Sequence, residues 1–151
     1  MEKNLQELKA QALAKFLEIS IEDLEIPEDI ELPFVVLDTG ASYAVLTEEQ
    51  ANARAREEIL NSLWAFNAHF IIEHCKNYND MGDYEFNSAI ESLRHAQENC
   101  CENANGLVFA LIDDIDEFVE DAIYADGRGN FISGYDGIED EQDGFYIYRV
   151  D

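Results

Sequence analysis

FVVLDTGASYAVLTEEQ, residues 34–50, decides between fold classes. Phe34–Leu37 and Tyr43–Leu46 are short runs of β-formers on either side of Asp38-Thr39-Gly40-Ala41-Ser42, whose Asp and Gly favour a turn. Thr47 followed three residues later by Gln50 is a capping box, and Glu48 and Glu49 suit the positive end of a helix. The expectation is therefore a hairpin running straight into a long helix, from Glu48 to about Cys75. Its buried stripe would be Leu60, Leu63, Trp64, Phe66, Phe70 and Ile71.

Outward from this stretch, Leu8, Leu13, Phe16 and Leu17 give Leu5–Ile19 a helical spacing, and Pro27 and Pro33 bracket an acidic loop. Asn77 to Gly82 reads as a loop. Tyr84 to Cys101 reads as a helix with Phe86, Ile90, Leu93 and Cys100 inward, and another helix spans Ala104 to about Tyr124. Gly127 and Gly129 end that helix, with Arg128 in a helix stop rather than on a presenting loop. β-formers at 130–133 and 145–150 around Tyr135–Gly144 predict a second hairpin. The fold class is then α+β, with about four helices and a small antiparallel sheet from two hairpins, 34–46 and 130–150. At 151 residues the chain is expected to be one domain, 1–151.

Composition narrows function. The 34 Asp and Glu against 9 Lys and Arg give a formal charge of −25. Phosphate binding needs a basic patch, so direct nucleic-acid binding is excluded, and an anionic membrane surface is disfavoured on the same ground. The start MEKNLQELKAQALAKFLEI has no apolar core of a secretion signal, and Cys75, Cys100 and Cys101 are an odd set. A reducing cytoplasm is the expected compartment.

Val35–Ser42 also matches the active-site signature of retroviral-type aspartic proteases, in which two subunits each supply an Asp. Those enzymes are nearly all β, whereas this motif runs into a capped helix, so Asp38 is read as a turn residue and the protein as no enzyme. Histidines and cysteines (His69, His74, Cys75, His95, Cys100, Cys101) lack the tight paired spacing of zinc ligands. The acidic run 136–144 has Ile138 and Glu141 where a calcium loop needs an acid and a glycine. No cofactor is expected.

The acids are patterned. Six lie in 20–33 with no base, and thirteen in 113–151 beside Arg128 and Arg149. On a continuous helix, Asp113, Asp116, Glu117 and Glu120 fall within about 100° of one another. Asp114 and Asp121 flank them, and Leu111, Ile115, Phe118, Val119 and Ala122 face the other way. Such a ridge places carboxylates about 5–6 Å apart, a repeat comparable to the phosphates of a nucleic-acid strand. Two acidic loops add to it, one with Glu28, Asp29 and Glu31, the other with Glu139, Asp140, Glu141 and Asp143. A salt-adapted surface would also be acidic, but frequent Ile, Phe and Asn speak against it.

SLWAFNAHFI (62–71), FVEDAIYADGRGNFISGYDG (118–137), FYIYRVD (145–151) and YAVLTEEQA (43–51) together resemble a group of small acidic proteins encoded by bacteriophages and prophages. The group is mostly uncharacterised, so the resemblance implies a phage setting and a host-cell cytoplasm, and no catalytic residue carries over. By analogy of composition with phage DNA mimics, the expected function is inhibition of a host defence protein, anti-CRISPR or anti-restriction. The acidic face would fill its basic nucleic-acid channel. A homodimer is compatible with the sequence. The alternative is a phage accessory protein, acidic for solubility, that contacts a protein partner through an apolar or aromatic patch near Trp64 or Tyr146 and Tyr148.

Overall fold

A computed structural model describes residues 4–151, which divide into two compact units: one formed by the N-terminal residues through Ala55 with Asp126–Asp151, the other by Arg56–Ala125. The fold is α+β, as the sequence predicts.

The first unit opens with α1 (Leu5–Leu17), capped by the Asn4 side chain, which accepts from the Glu7 amide at 2.8 Å. Strands β1 (Leu24–Glu25), β2 (Phe34–Val36) and β3 (Ser42–Leu46) follow, and β4 (Asp140–Gln142) and β5 (Phe145–Arg149) complete one antiparallel sheet in the order β1-β2-β3-β5-β4. The 34–46 hairpin forms with Phe34 opposite Tyr43. Its turn closes through Val36 N–H to Ala41 O at 2.8 Å and Gly40 N–H to Val36 O at 2.7 Å, with Gly40 at φ +75°. Leu13, Leu24, Phe34, Val36, Val45 and Ile147 pack as the core of this unit.

The second hairpin begins later than predicted. Residues 130–133 are not a strand; α7 (Arg128–Ile132) occupies 130–132 with Ser133 as its C-cap, and the hairpin is β4–β5 around Asp143-Gly144. Both turn residues have positive φ, 54° and 84°, which an Asp-Gly pair supplies at the least steric cost. The two-residue β1, pairing Leu24 with Val36, also escapes the sequence reading.

The capping box forms as predicted. Thr47 N–H donates to Gln50 Oε1 at 3.1 Å, Gln50 N–H donates to Thr47 Oγ1 at 3.2 Å, and α2 (Glu48–Asn61) starts there. The continuous helix to Cys75 does not form. α2 ends at Asn61, a 3-10 turn covers Leu63–Ala65, and α3 (Ala68–Glu73) starts anew. Polar side chains make the break tolerable. Asn67 caps α3 through the His69 amide at 2.8 Å, Asn105 Oδ1 accepts from Trp64 N–H at 3.0 Å, and Gln97 Nε2 donates to the carbonyls of Trp64 and Phe66 at 2.8 and 2.6 Å.

The rest of this second unit is helical: α4 (Asp83–Cys100), α5 (Asn105–Leu111) and α6 (Ile115–Asp126). On α4, Ile90 and Leu93 are buried as predicted, Phe86 is half-buried, and Cys100 is exposed rather than inward. Ile59, Leu63, Ile71, Val108 and Phe118 have no exposed surface and form its core.

Lys9 is the unusual core residue, 1% exposed in a strongly acidic chain. Its Nζ donates to Gln50 Oε1 at 2.7 Å, joining α1 to the start of α2. Burial, with Arg54 adding to it, pushes its ammonium below the ordinary value of 10.5. The unfolded chain therefore holds the extra proton between the folded value and 10.5, and stability rises with pH across that window. At neutral pH the buried charge is a cost. Lys9→Met should keep or raise the melting temperature, by up to about 1–2 kcal/mol of stability. A thermal melt showing a loss of that size would instead mean that the Gln50 bond outweighs the cost of burying the ammonium.

Candidate functional site

Four of the six acids predicted on one helix face gather in the second unit, by a route the sequence conceals. Residues 104–124 are not one helix. The chain leaves α5 at Leu111, and Ile112 bridges to Cys75. Asp113 N–H donates to His74 O at 2.9 Å, and Lys76 N–H to Leu111 O at 3.4 Å. Asp114 then caps α6, its Oδ1 accepting from the amides of Asp116 and Glu117 at 3.1 and 3.2 Å. Asp113 and Asp114 thus precede the helix instead of lying on it. Of the predicted inner face, Phe118, Val119 and Ala122 are buried, Ile115 is half-buried, and Leu111 belongs to α5.

Phe118 sits in an aromatic cluster, with ring centroids 5.2 Å from Phe66, 4.9 Å from Phe70 and 5.1 Å from His74. That cluster fixes α6 and with it an open acidic cleft of about 510 Å³, lined by Glu73, His74, Asp113, Asp114, Glu117 and Asp121 among others. Glu73 and His74 were not among the predicted site residues; only a contact across some forty positions of sequence reveals them. The remaining two ridge acids are exposed, and Asp116 is bonded to Arg56 Nη1 at 2.6 Å.

His74 is held between two acceptors, Phe70 O at 2.9 Å from Nδ1 and Asp121 Oδ2 at 2.8 Å from Nε2. Neither partner has a proton to give, so only the doubly protonated ring satisfies both. Burial opposes the charge, yet the bonds to Phe70 and Asp121, with the field of Glu117, outweigh it and hold the imidazole above its ordinary 6.5. A raised folded value means that this stabilisation is complete below 6.5 and is lost as pH rises through the folded value. The urea midpoint of the native protein should therefore fall more between about pH 5.5 and 8.5 than that of His74→Gln. Equal falls would show that His74 does not carry this pH dependence.

In the first unit the two predicted acidic loops are held apart. Glu28, Asp29 and Glu31 lie in the β1–β2 connection, while Asp140 and Glu141 lie on β4, the opposite edge of the sheet. Four strand spacings, roughly 19 Å, separate those edges. Asp143 is a turn residue with Lys15 Nζ at 3.5 Å.

Glu139, though exposed, is paired within the unit. It accepts from Arg128 Nε at 2.8 Å and from the Tyr148 hydroxyl, and Tyr148 has no exposed surface. Arg128 also donates to Glu48 at 3.1 Å and Asn52 at 2.9 Å, and its guanidinium lies 4.5 Å from the Tyr146 ring centre. Burial raises the Tyr148 phenol, and the Glu139 bond adds to it. Arg128 is raised despite burial, because the carboxylates of Glu139 and Glu48 favour its charge. The Tyr146 hydroxyl bond lowers Glu48. Arg128, read from sequence as part of a helix stop, is the hub of this cluster.

Glycine makes the hub possible. A Cβ on Gly129 would lie 2.4 Å from Gly137 O and 2.9 Å from Glu139 N. Ser133 closes the same loop, its hydroxyl within 2.5 Å of Arg149 O and 3.0 Å of Asp136 Oδ1 and accepting from the Gly137 amide.

Asp38 stands on the exposed turn between β2 and β3. Cys75 is buried, Cys100 and Cys101 are exposed, and all three thiols are free. Among the described residues no group of three or more His, Cys, Asp or Glu is arranged to hold a metal, and no helix is long and apolar enough to cross a membrane. Comparison with protein families, with curated proteins and with solved structures finds no match for this chain.

Proposed function

We propose that the protein is a non-enzymatic, phage-encoded inhibitor that occupies the basic nucleic-acid-binding surface of a host defence protein of the CRISPR or restriction type. The observation that supports this reading is the acidic cleft: Asp113, Asp114, Glu117 and Asp121 beside Glu73, with Lys76 and the Asp121-paired His74 as the bases among its lining residues. Carboxylates fixed by a capped helix and an aromatic cluster are ordered before binding, so a cationic partner meets a formed surface. Long-range attraction by a −25 chain would speed its approach and make it salt-sensitive. Phage origin rests on the sequence segments quoted above.

The test is charge reversal at Asp113, Glu117 and Glu120, which leaves Asp116 and Asp121 with their own partners, Arg56 and His74. Cleavage by purified CRISPR and restriction nucleases is measured with each form of the protein. The triple Lys variant should keep its fold and lose inhibition by roughly 100-fold, and inhibition by the native protein should weaken with salt. Inhibition indifferent to salt and to reversal would overturn the mimic reading.

The accessory-protein alternative needs other residues than Trp64, Tyr146 and Tyr148. Tyr148 is buried, and Trp64 and Tyr146 are half-buried, while Tyr84 and Tyr124 are 82% and 93% exposed. Loss of partner binding in Tyr84→Ala or Tyr124→Ala, with none on charge reversal, would favour it.

A further inference from the structure

A second cleft adjoins the acidic one in the Arg56–Ala125 unit. It holds about 360 Å³, a size typical of sites that take a side chain or small ligand, and its walls include Ile72, Met81, Leu93, Leu107 and Leu111. Cys75 and Lys76 line both clefts, so the two share an edge. Burial raises the Cys75 thiol and keeps it neutral, so at that edge it acts as apolar surface. Leu107, on the apolar wall, is 48% exposed. Beyond the edge stand Glu73, Asp113, Asp114, Glu117 and Asp121.

An apolar cleft continuous with a carboxylate-lined one selects by charge. A neutral apolar ligand would fill the first and ignore the second. An amphipathic anion would meet five carboxylates against the ammonium of Lys76 and the imidazole of His74, which is already paired with Asp121. A cationic chain carrying an apolar side chain satisfies both. We propose that the paired clefts dock a basic segment of a protein partner, in which an aliphatic or aromatic side chain is flanked by lysines or arginines. The apolar cleft takes the anchor and the acidic cleft the flanking charges. This rests on the reading of the protein as the ligand of a basic partner, and it adds that recognition is of a peptide segment and not of charge alone.

The probe is a labelled hexapeptide with two leucines between pairs of arginines, compared with the same peptide carrying serines for the leucines, by fluorescence anisotropy. The leucine peptide should bind at least about tenfold tighter, as one well-buried aliphatic side chain provides. Ala110 lines the apolar cleft and is exposed, so Ala110→Phe can cover it without entering the core. That variant should bind both peptides alike, at the affinity of the serine peptide. Leu107→Ser, also at an exposed position, should reduce the preference in the same direction. Lys76→Met should tighten both peptides by removing the repelling charge. Equal binding of the two peptides by the native protein would overturn the proposal. So would decanoate binding that Lys76→Met abolishes, which would assign the cleft to an amphipathic anion. The inhibitor reading has its own readout: nuclease inhibition that survives Ala110→Phe rejects the docking site alone. The expected peptide binding without any nuclease inhibition rejects the inhibitor reading alone.

Discussion

Phe118→Ala should cost about 3–5 kcal/mol, the range for truncating a fully buried aromatic residue. Phe118 has no exposed surface, and its ring meets Phe66, Phe70 and His74 at once. Removing it opens a void beneath α6 and takes one wall from His74. The loss is comparable to the whole stability of a marginal domain, so a large drop in the urea midpoint is expected, and the acidic cleft should lose its shape with it. Phe118→Leu retains most of the volume and should cost nearer to about 1.5 kcal/mol. If the Ala variant melts within a degree or two of the native protein, the cluster does not position the cleft.

Gly129→Ala should be the most damaging single methyl added to the chain. The clash is with backbone at 2.4 and 2.9 Å, not with the end of a flexible side chain, so neighbouring chain must move. A cost of about 3 kcal/mol or more is expected. Displacing Glu139 would also strip Arg128 and Tyr148 of their shared acceptor. Gly106 provides the control: it lies in α5 with nothing within 4 Å of the added Cβ, so Gly106→Ala should gain about 0.4–1 kcal/mol. Paired denaturant titrations of the two variants check both signs.

Local signals carried much of the fold. Thr47 and Gln50 announced the start of α2 because a capping box is complete within four residues. The short β-former runs on either side of Asp38-Thr39-Gly40 were sufficient for the first hairpin. Where the reading failed, the deciding partner was distant. Nothing within 48–75 alone says that Asn105 and Gln97 will take up the backbone groups freed after Asn61. Two misses, by contrast, were visible locally. Asp114, with Glu117 three residues on, is a cap that a helical wheel absorbed into a ridge. Asp143-Gly144 ahead of Phe145-Tyr146-Ile147 is a short hairpin-turn signal, although Asp140-Glu141-Gln142 on its other side supplies no β-former.

The site divides in the same way. The acids of α6 follow from spacing, so Glu117, Glu120 and Asp121 could be placed on its outer side before the fold was known. Glu73 and His74 could not, because their place beside Asp113 depends on the bridge between Cys75 and Ile112. Glu139 reads as a free surface charge in sequence, and only the fold shows that it is tied to Arg128 and to the hydroxyl of the buried Tyr148.

The strand order sets a timetable for synthesis. β3 pairs with β5, about a hundred residues later in the chain, while the Arg56–Ala125 unit draws its contacts from one uninterrupted stretch. Closing a loop of that length costs about 4 kcal/mol of chain entropy before the first ladder bond forms. On the ribosome, the helical middle therefore has all its partners in hand while the β2–β3 hairpin still waits with the inner edge of β3 bare. Slow codons or a holding chaperone acting before residue 145 would lengthen that wait, and an unpaired strand edge is where nascent chains aggregate. Folding should accordingly show a fast phase from the helices and a slower one from the sheet, with only the slow phase sensitive to substitutions at Val45 or Ile147.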